Sequence, residues 1–281
     1  MNGITRRVLV AFTAALLLAP SLFSPSLAAQ APKGEPTNVK EAAAKKAAAD
    51  KLIDAKYAAL VASLPPERQA WERTLQENLG GFYLPIHKRE KVAGRPNAWD
   101  FVQDDPKLPR VLLIGDSVSR GYTMAVRRAL AGKANVHRAP ANCGPTATGL
   151  QKIDVWLGDG KWDVIHFNFG IHDRATPVAD YTRRLEQLVA RMQKTGAKLI
   201  WASTTPIPDD PAKKQTAASI VERNQAAAEV MRKYGVATDD LFAFITPKLA
   251  KVQNPKDVHF SAEGYDLLGQ QVAAAIGAAL K

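Results

Sequence analysis

Residues 111–121 read VLLIGDSVSRG. The first part, VLLIG (111–115), is a short continuous apolar run of the kind found in a strand buried on both faces of a parallel sheet. A helical pattern takes over near residues 119–131. A buried strand that runs directly into a helix is the first half of a βαβ unit, and the same alternation recurs downstream. NVHRA (135–139) reads as a second strand and TATGLQKIDVWLG (146–158) as a helical crossover. DVIHFNFG (163–170) is a third strand, followed by a strong helix at 177–195. AKLIWAST (197–204) is a fourth strand, 216–234 a helix, GVATDD (235–240) a short fifth strand and 261–280 a closing helix. Strands alternating with helices imply an α/β class with a five-stranded parallel sheet covered on both faces.

In such sheets ligands gather at the carboxyl ends of the strands. Four polar clusters fall there or just before the last helix: Gly115-Asp116-Ser117, Asn142-Cys143-Gly144, Gly170-Ile171-His172-Asp173 and Asp257-Val258-His259-Phe260. Ser117 stands at a strand-to-helix turn, where its hydroxyl is exposed above the sheet and its own N–H faces a developing anion. Serine is a poor nucleophile until a base takes its proton. His259, just upstream of the closing helix, is available as that base. The alternative for Ser117 is a helix N-cap, and for His259 a packed core histidine. Asp116 reads as a structural hydrogen-bonder at the turn.

GDSVSRG, NCG, GIHD and DVHFSAEGY resemble the sequence blocks of the SGNH (GDSL-type) hydrolases, over residues 105–281. The resemblance implies a flavodoxin-like three-layer α/β/α sandwich and an esterase or deacylase that needs no cofactor or metal. It implies Ser117 as nucleophile and His259 as base. The family usually places its aspartate three residues before the histidine, where this chain has Lys256; Asp257 is two before. Side chains alternate faces along an extended strand, so an offset of two works only in a loop. Either Asp257 orients His259 or a backbone carbonyl does. The resemblance also assigns oxyanion donors: the N–H of Ser117, the N–H of Gly144 and an asparagine side chain in a G-x-N-D block. Here the block is G-I-H-D, so His172 stands in the asparagine's place; a neutral imidazole can donate one hydrogen bond. Asp173 would fix the His172 tautomer or cap the turn. Asn168, on the same strand face as Gly170, is a secondary donor candidate. Tyr122 and Arg120 are candidates to line the site or to be solvated. Trp156, Trp162 and Trp201 read as core.

The chain has 281 residues, of which 46% are hydrophobic, enough for one sizeable core with an extension. Residues 1–29 combine a basic start, an apolar run and a small-residue cleavage region, the pattern of a signal peptide. Secretion or a periplasmic location follows, without stable membrane insertion after cleavage, since no later segment is apolar enough to span a bilayer. Residues 30–100 are expected to form an Ala/Lys-rich helical extension and connector, and 101–281 the hydrolase domain. In the extension a helix is expected up to Pro65-Pro66, with Leu52, Tyr57, Leu60 and Val61 able to pack. A second helix is expected at about 66–79, then an irregular connector from Gly80 onward. The single cysteine, Cys143, excludes an internal disulfide. The formal charge of +11 loses two with Arg6 and Arg7; the dispersed basic residues make no case for nucleic acid.

The leading expectation is an exported serine esterase acting on small acyl esters, with acetyl on carbohydrate foremost. The competing readings are an acyltransferase to a glycan and a non-catalytic glycan-binding module. Oligomeric state is left open by the sequence.

Overall fold

The computed structural model describes residues 36–211 and 215–281; the expected signal peptide lies outside them. The chain divides at Lys46/Ala47, and residues 47–281 form one compact unit. In chain order the elements are α1 (Pro36–Ala62), α2 (Pro66–Asn78), α3 (Gly80–Val92), β1 (Arg110–Ile114), α4 (Ser117–Ala129), β2 (Asn135–Arg138), α5 (Thr146–Leu157) and β3 (Val164–Phe167). There follow a 3-10 turn (Ile171–Asp173), α6 (Val178–Gln193), β4 (Lys198–Ala202), α7 (Ala217–Tyr234), β5 (Ala237–Asp239), the short helices α8 (Leu241–Ile245) and α9 (Leu249–Val252), and α10 (Ala262–Ala279).

All five strands pair in parallel, in the order β2-β1-β3-β4-β5. This is the flavodoxin-like order, with the topological switch point between β1 and β3. Alternation along each strand divides the core. Leu112, Ile114, Ile165, Phe167 and Trp201 pack under α5, α6 and α7. Val111, Leu113, Val164 and Ile200 pack under α4, α8 and α10. Strands buried on both faces are why VLLI carries no polar alternation. Trp156 and Trp201 are buried, and Tyr122 is 2% exposed inside the second cluster, so it is a core residue and not part of the site lining.

The N-terminal region is helical, but its third segment differs from expectation. Residues from Gly80 form a helix instead of an irregular connector. Gly80 has φ +67°, which ends α2, and the chain then re-enters helical geometry. Pro85 costs α3 one hydrogen bond. Packing of Tyr83 and Leu84 against Leu75, Leu79 and Trp99 offsets that cost. Glu72, 1% exposed, ties the helices together. It accepts from Tyr57 Oη at 2.7 Å, pairs with His87 Nε2 at 2.8 Å and with Lys91 Nζ at 3.0 Å. Burial raises the Glu72 pKa, but hydrogen bonds from His87 and Tyr57 and the charges of His87 and Lys91 outweigh it and hold the carboxyl at about 2. Tyr57 is buried as expected, whereas Leu52 is 56% exposed and does not pack.

Candidate active site

The first strand ends in a turn that is held from below. Arg138, the last residue of β2, is 1% exposed. Its guanidinium donates to the carbonyls of Gly115 and Asp116 at 2.9 Å each, and to Ser119 Oγ. Burial pushes the Arg138 pKa down; the two carbonyls and the Ser119 hydroxyl take hydrogen bonds from its terminal nitrogens, while its Nε has no partner among the described residues. No local sequence pattern marks Arg138, since its strand, Asn135–Arg138, is itself polar at three of its four positions.

Above the staple, Asp116 is the N-cap of α4, with Oδ1 accepting from Val118 N–H at 2.9 Å. The capping role is therefore filled by the neighbour, and the Ser117 hydroxyl points elsewhere. It lies 2.8 Å from His259 Nε2. The other ring nitrogen, Nδ1, is 2.8 Å from Asp257 Oδ1, which also accepts from the His259 backbone N–H at 3.3 Å. Both side chains are partly open to solvent, at 39% for His259 and 47% for Asp257.

Backbone geometry resolves the awkward offset of two. Asn254–Asp257 is a turn closed by Asp257 N–H to Asn254 C=O at 3.1 Å. Lys256 takes φ +55°, the one positive φ among described non-glycine residues. Pro255 precedes it, the pairing expected where the third turn position is left-handed. The loop is pinned at its base by the Gln253–Phe260 bridge and by Ser261, which caps α10. The segment is thus a loop and not a strand, so residues two apart can face each other. Burial raises the Asp257 pKa, but the hydrogen bond and charge of His259 and backbone N–H groups outweigh it, and the net shift is downward.

Pairing with a carboxylate does not by itself mark a base here. Four of the five histidines have such a partner: His87 with Glu72, His137 with Asp104, His166 with Asp239 and His259 with Asp257. Of these, His259 alone has a serine hydroxyl on its second nitrogen. His87 and His166 are fully buried, and their Nδ1 atoms have no partner among the described residues.

The oxyanion candidates separate clearly. Gly144 has φ +66°, a left-handed conformation that favours glycine. Its loop is tied to the Ser117 turn by Cys143 N–H donating to Gly115 C=O at 3.2 Å. Neither the Ser117 N–H nor the Gly144 N–H has an acceptor among the described residues. The Cys143 thiol is fully buried, and burial pushes its pKa up to about 12. Asn168 is a correction: its amide donates to Ala202 C=O at 2.8 Å and to Thr204 Oγ1 at 3.0 Å, so both hydrogens are spent on β4 and the segment after it. Asp173 also has a structural job. It is fully buried and accepts from Thr146 N–H at 2.8 Å and Thr146 Oγ1 at 2.7 Å, fixing the start of α5. That leaves it no part in fixing His172. The His172 side chain is exposed on the 3-10 turn, with no ring hydrogen bond among the described residues.

A model of the GDSL-like lipase/acylhydrolase family matches residues 113–267, more than half of the chain. The protein belongs to that family. Its members are carboxylic ester hydrolases of the SGNH type, and the chain is one of them. No curated protein sequence matches it. Among solved structures, a lipase/acylhydrolase from Enterococcus faecalis is 24% identical with a TM-score of 0.54, over 60% of this chain and 96% of that one. The acetyl xylan esterase AlAXEase is 13% identical with a TM-score of 0.52, over 59% and 99%. An acetylxylan esterase from Geobacillus stearothermophilus is 15% identical with a TM-score of 0.52, over 60% and 94%. These likenesses establish a shared fold. Helices α1 to α3 lie before the stretch that the family model matches. Among the described residues, no cluster of His, Cys, Asp or Glu is arranged to hold a metal ion, and no helix is long and apolar enough to cross a membrane.

Proposed function

We propose that this SGNH hydrolase is an exported serine esterase that removes small acyl groups, acetyl foremost, from carbohydrate esters. One observation carries the mechanism: His259 bridges Ser117 Oγ and Asp257 Oδ1 at 2.8 Å on each side. Asp257 accepts a hydrogen bond from Nδ1–H and so holds the tautomer that leaves Nε2 with a lone pair aimed at the serine. As Ser117 attacks the ester carbonyl, Nε2 takes its proton. The N–H groups of Ser117 and Gly144 receive the negative charge on the carbonyl oxygen. Collapse expels the alcohol, which takes the proton from His259, and leaves an acyl-serine. Water then attacks the acyl carbonyl as it loses a proton to Nε2, and Nε2 returns that proton to Ser117 Oγ as the acyl–serine bond breaks and the acid leaves.

The partly open His259 supports access by a bulky alcohol portion. Acetylxylan esterases among the structural neighbours add support for the substrate class. Export rests on the composition of residues 1–29. Release of free acetate from acetylated xylan, and its loss in Ser117→Ala, tests the proposal. Transfer of acetyl to a glycan acceptor without free acetate would make the protein a transferase instead.

A further inference from the structure

The helical extension reaches the nucleophile. Tyr83, in the first turns of α3, is half-buried; burial raises its phenol pKa, and the Ser117 hydroxyl and the Arg120 charge oppose that rise without cancelling it. Two contacts hold the ring in place. Trp99, fully buried, packs edge-on to it at 5.5 Å, and the Arg120 guanidinium lies over it at 5.8 Å. Arg120 is one turn beyond Ser117 on α4, lies over Trp99 at 5.2 Å and pairs with Glu90 of α3 at 3.3 Å. Helix α3 is thus fastened to the helix that begins with the nucleophile.

Beside Tyr83 stands Phe82, with ring centroids 4.8 Å apart and planes at 82°. Phe82 is 72% exposed, the most exposed large apolar side chain among the described residues. Leaving such a ring in water forgoes the stabilisation that burying it would give. Packing does not explain the residue, since Trp99, Leu75 and Leu79 already fill the core of the extension without it.

We propose that Phe82 and Tyr83 form the wall on which the sugar ring of the ester substrate lies. Phe82 offers an open aromatic face to the C–H side of a pyranose. Tyr83 offers a hydroxyl to an oxygen of that ring next to the scissile ester. An acyl chain would need an enclosed apolar groove; this surface is one ring bordered by a phenol hydroxyl and an Arg120–Glu90 pair. Since that pair is mutually neutralised, the wall suits an uncharged sugar over an acidic one. The inference rests on the reading of Ser117 as the esterase nucleophile and names the substrate side of that site. Both residues precede the stretch shared with the family, so the specificity would be this chain's own.

The test uses the full chain and two acetyl esters, acetylated xylobiose and the ring-free methyl acetate. The ratio of their kcat/KM values should fall about tenfold in Phe82→Ala, through KM for the sugar ester, and recover in Phe82→Trp. Tyr83→Phe, which keeps the ring, should lower the same ratio several-fold. An unchanged ratio in Phe82→Ala and Tyr83→Phe overturns the inference. Calorimetry keeps it separate from the catalytic reading. Acetylated xylobiose should bind Ser117→Ala protein about tenfold more weakly when Phe82→Ala is added. Equal binding overturns the sugar wall even if no ester is hydrolysed, and absent hydrolysis by the unsubstituted chain overturns the esterase reading alone.

Discussion

Asp257 and His259 are two residues apart and hydrogen-bonded through Oδ1 and Nδ1 at 2.8 Å. Lys256, at φ +55°, turns the chain so that this spacing works. The same carboxylate oxygen accepts the His259 backbone N–H, so one group fixes both the loop and the ring.

Asp257→Asn should lower kcat by about 10³- to 10⁴-fold, because an amide favours the wrong histidine tautomer. Placing an aspartate at the position usual in the family, by Lys256→Asp in the Asp257→Asn background, should not restore activity, since residue 256 occupies the left-handed turn position. Steady-state kinetics on 4-nitrophenyl acetate checks both. Lys256→Gly should keep activity and add up to about 1 kcal/mol of stability by relieving the positive φ, measured by urea unfolding.

His259→Asn should remove nearly all activity, a loss of about 10³-fold or more. His172→Asn should retain much of it, because the exposed His172 ring is not committed to any partner among the described residues. Equal collapse of the two variants would give His172 a larger role than its position supports.

Gly144→Ala should lower kcat by about 10- to 100-fold with KM little changed. The added Cβ meets only ordinary contacts, the nearest Thr148 Oγ1 at 3.7 Å. The φ of +66°, however, is strained for alanine and would shift the N–H aimed at the oxyanion. Thermal unfolding should move by only a few degrees.

Acid stability should report Glu72. Its carboxyl is depressed in the folded state, from the 4.5 of an unperturbed glutamate to about 2. The stabilisation is therefore fully present above about pH 4.5 and is lost as pH falls toward 2. Its size is on the order of a few kcal/mol, given that the group is 1% exposed. Urea midpoints measured from pH 6 to pH 3 should fall more steeply in the unsubstituted protein than in Glu72→Gln, which starts lower.

The sheet was legible because buried parallel strands advertise themselves as apolar runs such as VLLI and VIHF, with helical spacing between them. Ser117 and His259 were legible because strand ends collect on one edge. Other features depend on contacts that no local pattern carries. Arg138 meets acceptors 19 to 23 residues earlier in the chain. Asn168 has the composition of a donor, but its amide is consumed by residues 34 and 36 positions later. Helix α3 is hidden by Gly80, Gly81 and Pro85, which read as breakers until Trp99 and Leu75 supply a surface to pack on. The Tyr83–Ser117 neighbourhood follows from that packing and so is equally invisible in sequence.

The central claim is that Ser117 is a nucleophile activated by His259. Intact-mass spectrometry after treatment with a fluorophosphonate reads this directly, since only an activated serine reacts readily. A single adduct per chain is expected, mapped to Ser117, absent in Ser117→Ala and greatly slowed in His259→Asn. A folded, unmodified chain, or an adduct mapped to another residue, would contradict it.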